Sequence, residues 1–115
     1  MKRKPPAVPD PPRDVQLRMY YFLRLTRALD ERAHALHKQG KVLGGLFSNL
    51  GQEAISVGSA FALRDGDYLG PMIRNMGAVL VRGHTPRDIL TQYLARAASP
   101  TRGKEIGRAS CRERV

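Results

Sequence analysis

Three histidines are the residues of this sequence best suited to metal or proton chemistry. His34 and His37 lie three positions apart, so a helix would place them on one face, but no third ligand stands at metal-binding spacing from them or from His84. The pattern therefore predicts packed or solvated histidines and no metal site. The single cysteine, Cys111, cannot form an internal disulfide.

Length and composition limit the class of protein. The 115 residues leave room for one small domain or a piece of a larger one, and 42% hydrophobic with 26% charged residues is ordinary for a globular chain. No apolar run approaches the roughly 20 residues that span a bilayer. The basic start, residues 1–6, lacks the apolar segment of a secretory signal, so we expect a cytoplasmic protein without membrane contact.

The net charge of +10 raises the question of a polyanionic partner. A small basic helical module that binds nucleic acid or another protein is therefore an alternative interpretation. The basic residues are scattered, however, and no nucleic-acid recognition motif accompanies them. We favour a fragment whose acidic counterpart lies elsewhere.

The last eleven residues, 105–115, continue no pattern that precedes them. They can be back-translated without a mismatch into a common short-read sequencing adapter. We interpret them as a translated adapter and expect the authentic sequence to end near Lys104. A genuine basic tail is the alternative.

The first helix is indicated by a change in pattern after a proline-rich start. Five prolines among charges in residues 1–13 predict a disordered, basic arm. Asp14 is a candidate N-cap, and Gly40 is a natural stop. Arg27 and Glu31 have the spacing of an ion pair on the polar face. Between the two ends runs an apolar stripe at helical spacing, formed by Val15, Met19, Phe22, Leu25 or Leu29, Ala33 and Leu36.

The remainder predicts short helices. Asn49 and Gln52 have capping-box spacing for a second helix ending near Leu63. The pair 68–69 could begin a short strand, and 72–82 reads as a third helix.

The last predicted helix has the clearest start signal. Thr85, Pro86 and Asp88 have the N-cap, first-turn proline and acid of a fourth helix, whose apolar face is Ile89, Leu90, Tyr93, Leu94 and Ala97. The fragment is therefore predicted to be mainly α, with at most one or two strands.

Several short motifs, taken in order, carry a family resemblance. Together they resemble the α subunit of thiamine diphosphate-dependent 2-oxo acid dehydrogenases of the pyruvate, branched-chain and acetoin types. The resemblance covers about residues 15–104, within a truncated domain placed at 14–104. The motifs are 30–32 (Asp-Glu-Arg), 40–41 (Gly-Lys), 49–54 (Asn-Leu-Gly-Gln-Glu-Ala), 57–58 (Val-Gly), 73–77 (Ile-Arg-Asn-Met-Gly), 81–83 (Val-Arg-Gly) and 86–88 (Pro-Arg-Asp).

This resemblance implies a fold, a reaction and partners. The fragment would be the helical N-terminal lead-in of an α/β thiamine diphosphate-binding fold. The parent enzyme would decarboxylate a 2-oxo acid and pass the acyl group to lipoamide on a lipoyl-bearing acyltransferase. The family also implies a heterotetramer of α and β subunits, with thiamine diphosphate and Mg²⁺ held between them.

The resemblance also implies roles for individual residues. Arg74 matches an arginine that reaches the cofactor diphosphate, and guanidinium suits phosphate oxygens. Ile73 stands where the family has an aromatic residue beside the cofactor. Phe47 stands where pyruvate-type members have a histidine, which weakens a pyruvate assignment. The acid that activates the cofactor would come from the β subunit, so we expect Glu53 to be a structural hydrogen-bond partner and no catalytic residue to lie in this chain.

One family motif is missing. The Gly-Asp-Gly motif, with its later Asn, that holds Mg²⁺ and diphosphate does not occur, and Asp65-Gly66-Asp67 reads as a turn. We therefore expect the chain alone to be inactive.

Overall fold

The computed structural model describes residues 9–104, and all statements below refer to them. The helices are α1 (Arg13–Lys38), α2 (Glu53–Phe61), α3 (Met76–Val81) and α4 (Pro86–Tyr93). This part of the chain contains no strand, so the mainly helical prediction is confirmed and the strand predicted at 68–69 is wrong. Most of the predicted arm and the whole predicted adapter tail, 105–115, lie outside the described residues.

The two ends of α1 can be compared with the predicted start and stop of this helix. The helix begins at Arg13, with Pro12 as N-cap and no side-chain cap, so the prediction of Asp14 as N-cap is wrong. Asp14 lies in the first turn, where its negative charge interacts favourably with the helix dipole. The predicted stop is confirmed: Gly40 has φ +70°, and the N–H groups of Gly40 and Lys41 donate to the carbonyls of His37 and Leu36 at 2.9 and 3.1 Å, the Schellman pattern.

The core lies between the C-terminal half of α1 and the three shorter helices. The later part of the predicted apolar stripe, at Leu29, Ala33 and Leu36, is buried there. The earlier part, from Val15 to Leu25, is only partly buried. The exposed side of the same early region carries Leu17 and Tyr20. The buried apolar cluster is Leu29, Ala33, Leu36, Val42, Met76, Val79, Leu80, Ile89 and Tyr93.

Three helices come together at Gly77. A Cβ built on this residue would lie 2.9 Å from Val57 Cγ2 on α2 and 3.1 Å from Thr26 Oγ1 on α1. Both distances are closer than ordinary van der Waals contact, so a side chain would push the helices apart. The glycine therefore fixes how closely α3 approaches α1 and α2.

The starts of α2 and α3 differ from the predictions. Gln52 is the N-cap of α2 and makes no side-chain cap, and Asn49 is buried among other partners instead. The third helix begins at Met76 rather than at residue 72, because residues 72–75 form a turn in which the N–H of Asn75 donates to the Met72 carbonyl at 3.0 Å. The predicted helices are present, but tertiary contacts set their first residues.

The start of α4 follows its prediction. The N–H of Asp88 donates to Thr85 Oγ1 at 3.2 Å, and the N–H of Thr85 donates to Asp88 Oδ2 at 2.9 Å. Pro86 is the first helical residue, where its missing N–H costs nothing. None of the four described helices is long and apolar enough to cross a membrane.

Candidate functional site

Arg74 and Phe47 lie together on the surface at the start of α3. The guanidinium carbon of Arg74 is 5.6 Å from the centroid of the Phe47 ring, within the range of a cation–π contact. Phe47 is 45% exposed, so the pair borders solvent. Within residues 9–104, the Arg74 guanidinium makes no ion pair. Its hydrogen-bond donors are therefore available to an anion that binds beside Phe47.

Ile73 contributes an apolar surface next to this pair. Its side chain is 41% exposed and lines a largely apolar cavity between α3 and α4, together with Met76, Ile89 and Tyr93. An isoleucine has no side-chain donor, so this position can contact a ligand only through apolar atoms. The structure thus places Arg74 and Phe47 in contact, while Ile73, which precedes Arg74 in the chain, lies at the cavity between α3 and α4.

A buried hydrogen-bond network supports the same region. Asp30 of α1 is 0% exposed, and its carboxylate accepts from Ser48 Oγ at 3.0 Å and from the Asn49 N–H at 3.1 Å. The side-chain amide of Asn49 donates to Asp30 Oδ1 at 2.9 Å, and its Oδ1 accepts from the N–H of Met76 at 3.4 Å. One amide therefore connects α1, the loop that carries Phe47 and the first residue of α3.

This network was not predicted from the sequence, where Asp30 was noted only as part of the 30–32 motif. The missed signal lies in the spacing, since Asp30 follows Leu29 and stands three residues before Ala33, on the apolar stripe. A carboxylate at such a position must find donors inside the protein, because burying an unpaired charge is costly. Ser48 and Asn49 supply those donors.

Glu53 has the structural role that the sequence analysis expected. Its Oε1 accepts from Arg27 Nε at 2.5 Å, and its Oε2 accepts from the Gly51 N–H at 2.8 Å. The hydrogen bond from Arg27 holds the pKa of Glu53 below its ordinary value, and the same contact raises the pKa of Arg27. The predicted pair of Arg27 with Glu31 is thus wrong, because Arg27 reaches across to the start of α2.

The described residues do not form a metal centre. They contain no group of three or more histidine, cysteine or acidic side chains that could hold a metal ion. His34 instead places Nδ1 2.9 Å from the Asp30 carbonyl oxygen, and the same nitrogen is 3.6 Å from Asp30 Oδ2.

Comparison with known proteins connects this geometry to a family. The family model described as the dehydrogenase E1 component matches residues 21–115. This chain belongs to that family. The matched range holds every residue of the candidate site described above, and it also includes positions 105–115, outside the described structure.

Curated dehydrogenase relatives match most of this chain over a small part of their own length. The 2-oxoisovalerate dehydrogenase subunit alpha of Bacillus subtilis is 44% identical over 86 residues, which are 74% of this chain and 26% of the relative. The pyruvate dehydrogenase E1 component subunit alpha of Mycoplasma genitalium is 35% identical over 81 residues, 70% of this chain and 22% of the relative.

A third relative is named for a branched substrate. The 3-methyl-2-oxobutanoate dehydrogenase subunit alpha of Mycobacterium tuberculosis is 38% identical over 81 residues, 70% of this chain and 22% of the relative. The chain thus spans about a quarter of the length of these dehydrogenase subunits. No solved structure matches it significantly.

Proposed function

We propose that this chain is the N-terminal part of the α subunit of a thiamine diphosphate-dependent 2-oxo acid dehydrogenase. The parent enzyme would decarboxylate a 2-oxo acid and pass the acyl group to lipoamide. The observation that carries the proposal is the exposed Arg74 guanidinium beside Phe47, which has no acidic partner within the described residues, in a chain of the dehydrogenase E1 component family.

The side chains at this surface fit the diphosphate end of the cofactor. A guanidinium donates charge-assisted hydrogen bonds to phosphate oxygens, and Arg74 has this capacity unused by any ion pair. Phe47 and Ile73 would exclude water beside those phosphate contacts, which strengthens them. When bound, thiamine diphosphate supplies the electron sink for loss of carbon dioxide. Mg²⁺ does not fit the described residues, so we propose that its ligands lie outside them.

We propose that acid–base chemistry comes from outside the described residues. Asp30 is engaged with Ser48 and Asn49, and Glu53 is engaged with Arg27. This supports our proposal that a β subunit supplies the acid acting on the cofactor. A heterotetramer with that subunit and transfer to a lipoyl-bearing acyltransferase complete the proposed assembly.

We further propose a branched aliphatic 2-oxo acid as the substrate. Phe47 and Ile73 present apolar, partly exposed side chains next to Arg74. Phe47 has no donor or acceptor, whereas the resemblance places a histidine there in pyruvate-type members. Two of the relatives described above are named for 2-oxoisovalerate and 3-methyl-2-oxobutanoate.

The experiment begins at the gene. Reading the source locus across the codons for 99–115 tests the proposal that 105–115 is a translated adapter. We expect a frame that continues past Lys104 into a Gly-Asp-Gly motif with a later Asn. A genomic stop directly after Val115 would contradict the proposal.

The activity test uses the complete frame co-expressed with its β subunit. We expect decarboxylation that requires thiamine diphosphate and is faster with a branched 2-oxo acid than with pyruvate. Arg74→Gln should raise the cofactor concentration needed for half-maximal activity at least tenfold, while Arg87→Gln, an exposed arginine on α4, should leave it unchanged. No decarboxylation of any 2-oxo acid would overturn the proposal, and an equal effect of both substitutions would remove Arg74 from the site.

A further inference from the structure

We propose that Asn49 is a positioning residue that holds the Arg74–Phe47 pair in register for the diphosphate. Its relevance to catalysis rests on the proposed function, but the mechanical role is a property of the chain itself. Asn49 is 1% exposed, so its side chain is not accessible to a ligand. It acts through its neighbours.

The chemistry of the Asn49 amide suits a position between an acceptor and a donor. Its NH₂ group donates to Asp30 Oδ1 at 2.9 Å and lies 3.5 Å from the Phe47 carbonyl oxygen. Its carbonyl oxygen accepts from the Met76 N–H at 3.4 Å. A carboxylate here would face Asp30 with a second negative charge, and an aliphatic side chain would leave buried polar groups unpaired.

The bond to Met76 replaces a missing helix cap. The first N–H groups of a helix have no partner within that helix, and the N-cap residue of α3, Asn75, makes no side-chain cap. Met76 is 5% exposed, so water does not readily satisfy its N–H. Asn49 therefore caps α3 from another loop and ties the first residue of that helix to Asp30.

The same amide determines where Arg74 stands. The backbone from Arg74 to Met76 is held at two points, by Ser56 Oγ donating to the Arg74 carbonyl at 3.4 Å and by the Met76 N–H donating to Asn49 Oδ1. Phe47 lies two residues before Asn49 in the loop anchored on Asp30. The positions of both Arg74 and Phe47 thus depend on one buried side chain, that of Asn49.

A swap of the two polar residues separates positioning from mere stability. Asn49→Asp alone opposes two carboxylates and removes the donor. The double variant Asp30→Asn with Asn49→Asp keeps an acceptor for the Met76 N–H and preserves the net charge, but it restores only part of the network, because Asp30 Oδ1 accepts from both the main-chain N–H and the side-chain amide of Asn49. Asn49→Ser removes the contacts without adding charge and serves if Asn49→Asp does not fold.

The readout is the NMR signal of the Arg74 Nε–H group in the isotopically labelled 115-residue chain. The ring current of Phe47 displaces this signal, and Phe47→Leu gives its value without the ring. In folded Asn49→Asp or Asn49→Ser chains we expect the signal to move most of the way toward the Phe47→Leu value. The double variant, which removes the opposed charges, should return it only part of the way. Ser99→Ala, at a buried serine whose hydroxyl accepts from the Gly103 N–H, should leave it unchanged.

Two outcomes separate this inference from the proposed function. An unchanged Arg74 signal in a folded Asn49→Asp or Asn49→Ser chain would overturn the positioning role. Inorganic pyrophosphate is then titrated into the wild-type chain and the double variant, where we expect the Arg74 signal to respond in both. If pyrophosphate does not change the Arg74 signal while the Asn49 variants behave as expected, the proposed cofactor contact is overturned. The positioning role of Asn49 then stands.

Discussion

At the scale of single residues, the ion pair between Arg27 and Glu53 determines how the chain responds to acid. The hydrogen bond from Arg27 places the folded-state pKa of Glu53 below its ordinary value of 4.5. Stability from this pair is therefore fully present above about pH 4.5 and is lost as the pH falls through the lower folded-state pKa. Arg27 is half exposed, so the gain is screened by solvent.

Arg27→Gln tests this pair. At neutral pH we expect the variant to have a lower free energy of unfolding than the wild type. This difference should shrink at acid pH, because protonation of Glu53 breaks the ion pair in the wild type. Urea unfolding between neutral pH and pH ~3 measures it. Arg24→Gln, on the same helix, should leave the acid dependence unchanged. A constant difference between wild type and Arg27→Gln at every pH would contradict the assignment.

At the scale of helices, the capping box at Thr85 stabilises the start of α4. Thr85→Ala removes the acceptor for the Asp88 N–H, and losing such a cap costs about 1 kcal/mol. Urea unfolding should register this loss. Thr91→Ala is the matched control, because its hydroxyl bonds only to carbonyls of its own helix. An equal loss from both substitutions would mean that the cap is not the cause.

Gly77 provides a second test at this scale. Alanine normally favours a helix over glycine by about 1 kcal/mol, but Gly77→Ala places a methyl 2.9 Å from Val57 Cγ2. We expect a net destabilisation of about 1–3 kcal/mol from overpacking. Gly58→Ala on α2 meets only Met19 Cε at 4.0 Å and should be neutral or stabilising. A higher melting temperature for Gly77→Ala would show that the helices are not packed as described.

Local signals predicted some helix ends and failed at others for identifiable reasons. The Gly40 stop and the Thr85 start depend on neighbours within five residues, which a sequence displays directly. Asn49 has the spacing of a cap for α2 but bonds Asp30 and Met76, which are 19 and 27 residues away. Propensity cannot choose between a local and a distant partner for the same amide.

At the scale of the whole molecule, the described residues would supply only part of the proposed cofactor site. Ordered motifs made it possible to select Arg74, Ile73 and Phe47 from the sequence. The contact between Phe47 and Arg74 could not be read from spacing, because it depends on tertiary contacts of the Phe47 loop with α1 and α3. Nor did the sequence reveal that Asp30 lies inside the fold rather than on the polar face of α1.

The purified chain should not turn over a 2-oxo acid. Its two site-proximal carboxylates are engaged in structural contacts, and its described residues offer no metal centre. We expect no carbon dioxide release above background with thiamine diphosphate, Mg²⁺ and a branched 2-oxo acid. Turnover that depends on thiamine diphosphate would contradict this expectation.

The most direct test of the central claim, that Arg74 meets the cofactor diphosphate, is an NMR titration of the arginine Nε–H signals of the 115-residue chain. We predict that thiamine diphosphate moves the Arg74 signal weakly but saturably, and that thiamine, which lacks the diphosphate, does not. The signal of Arg87, an exposed arginine on α4, is the internal control and should not respond saturably. The claim would be contradicted if the Arg74 signal did not shift. It would also be contradicted if the signals of all arginines shifted equally and the shifts disappeared with added salt, which would favour a non-specific polyanion site.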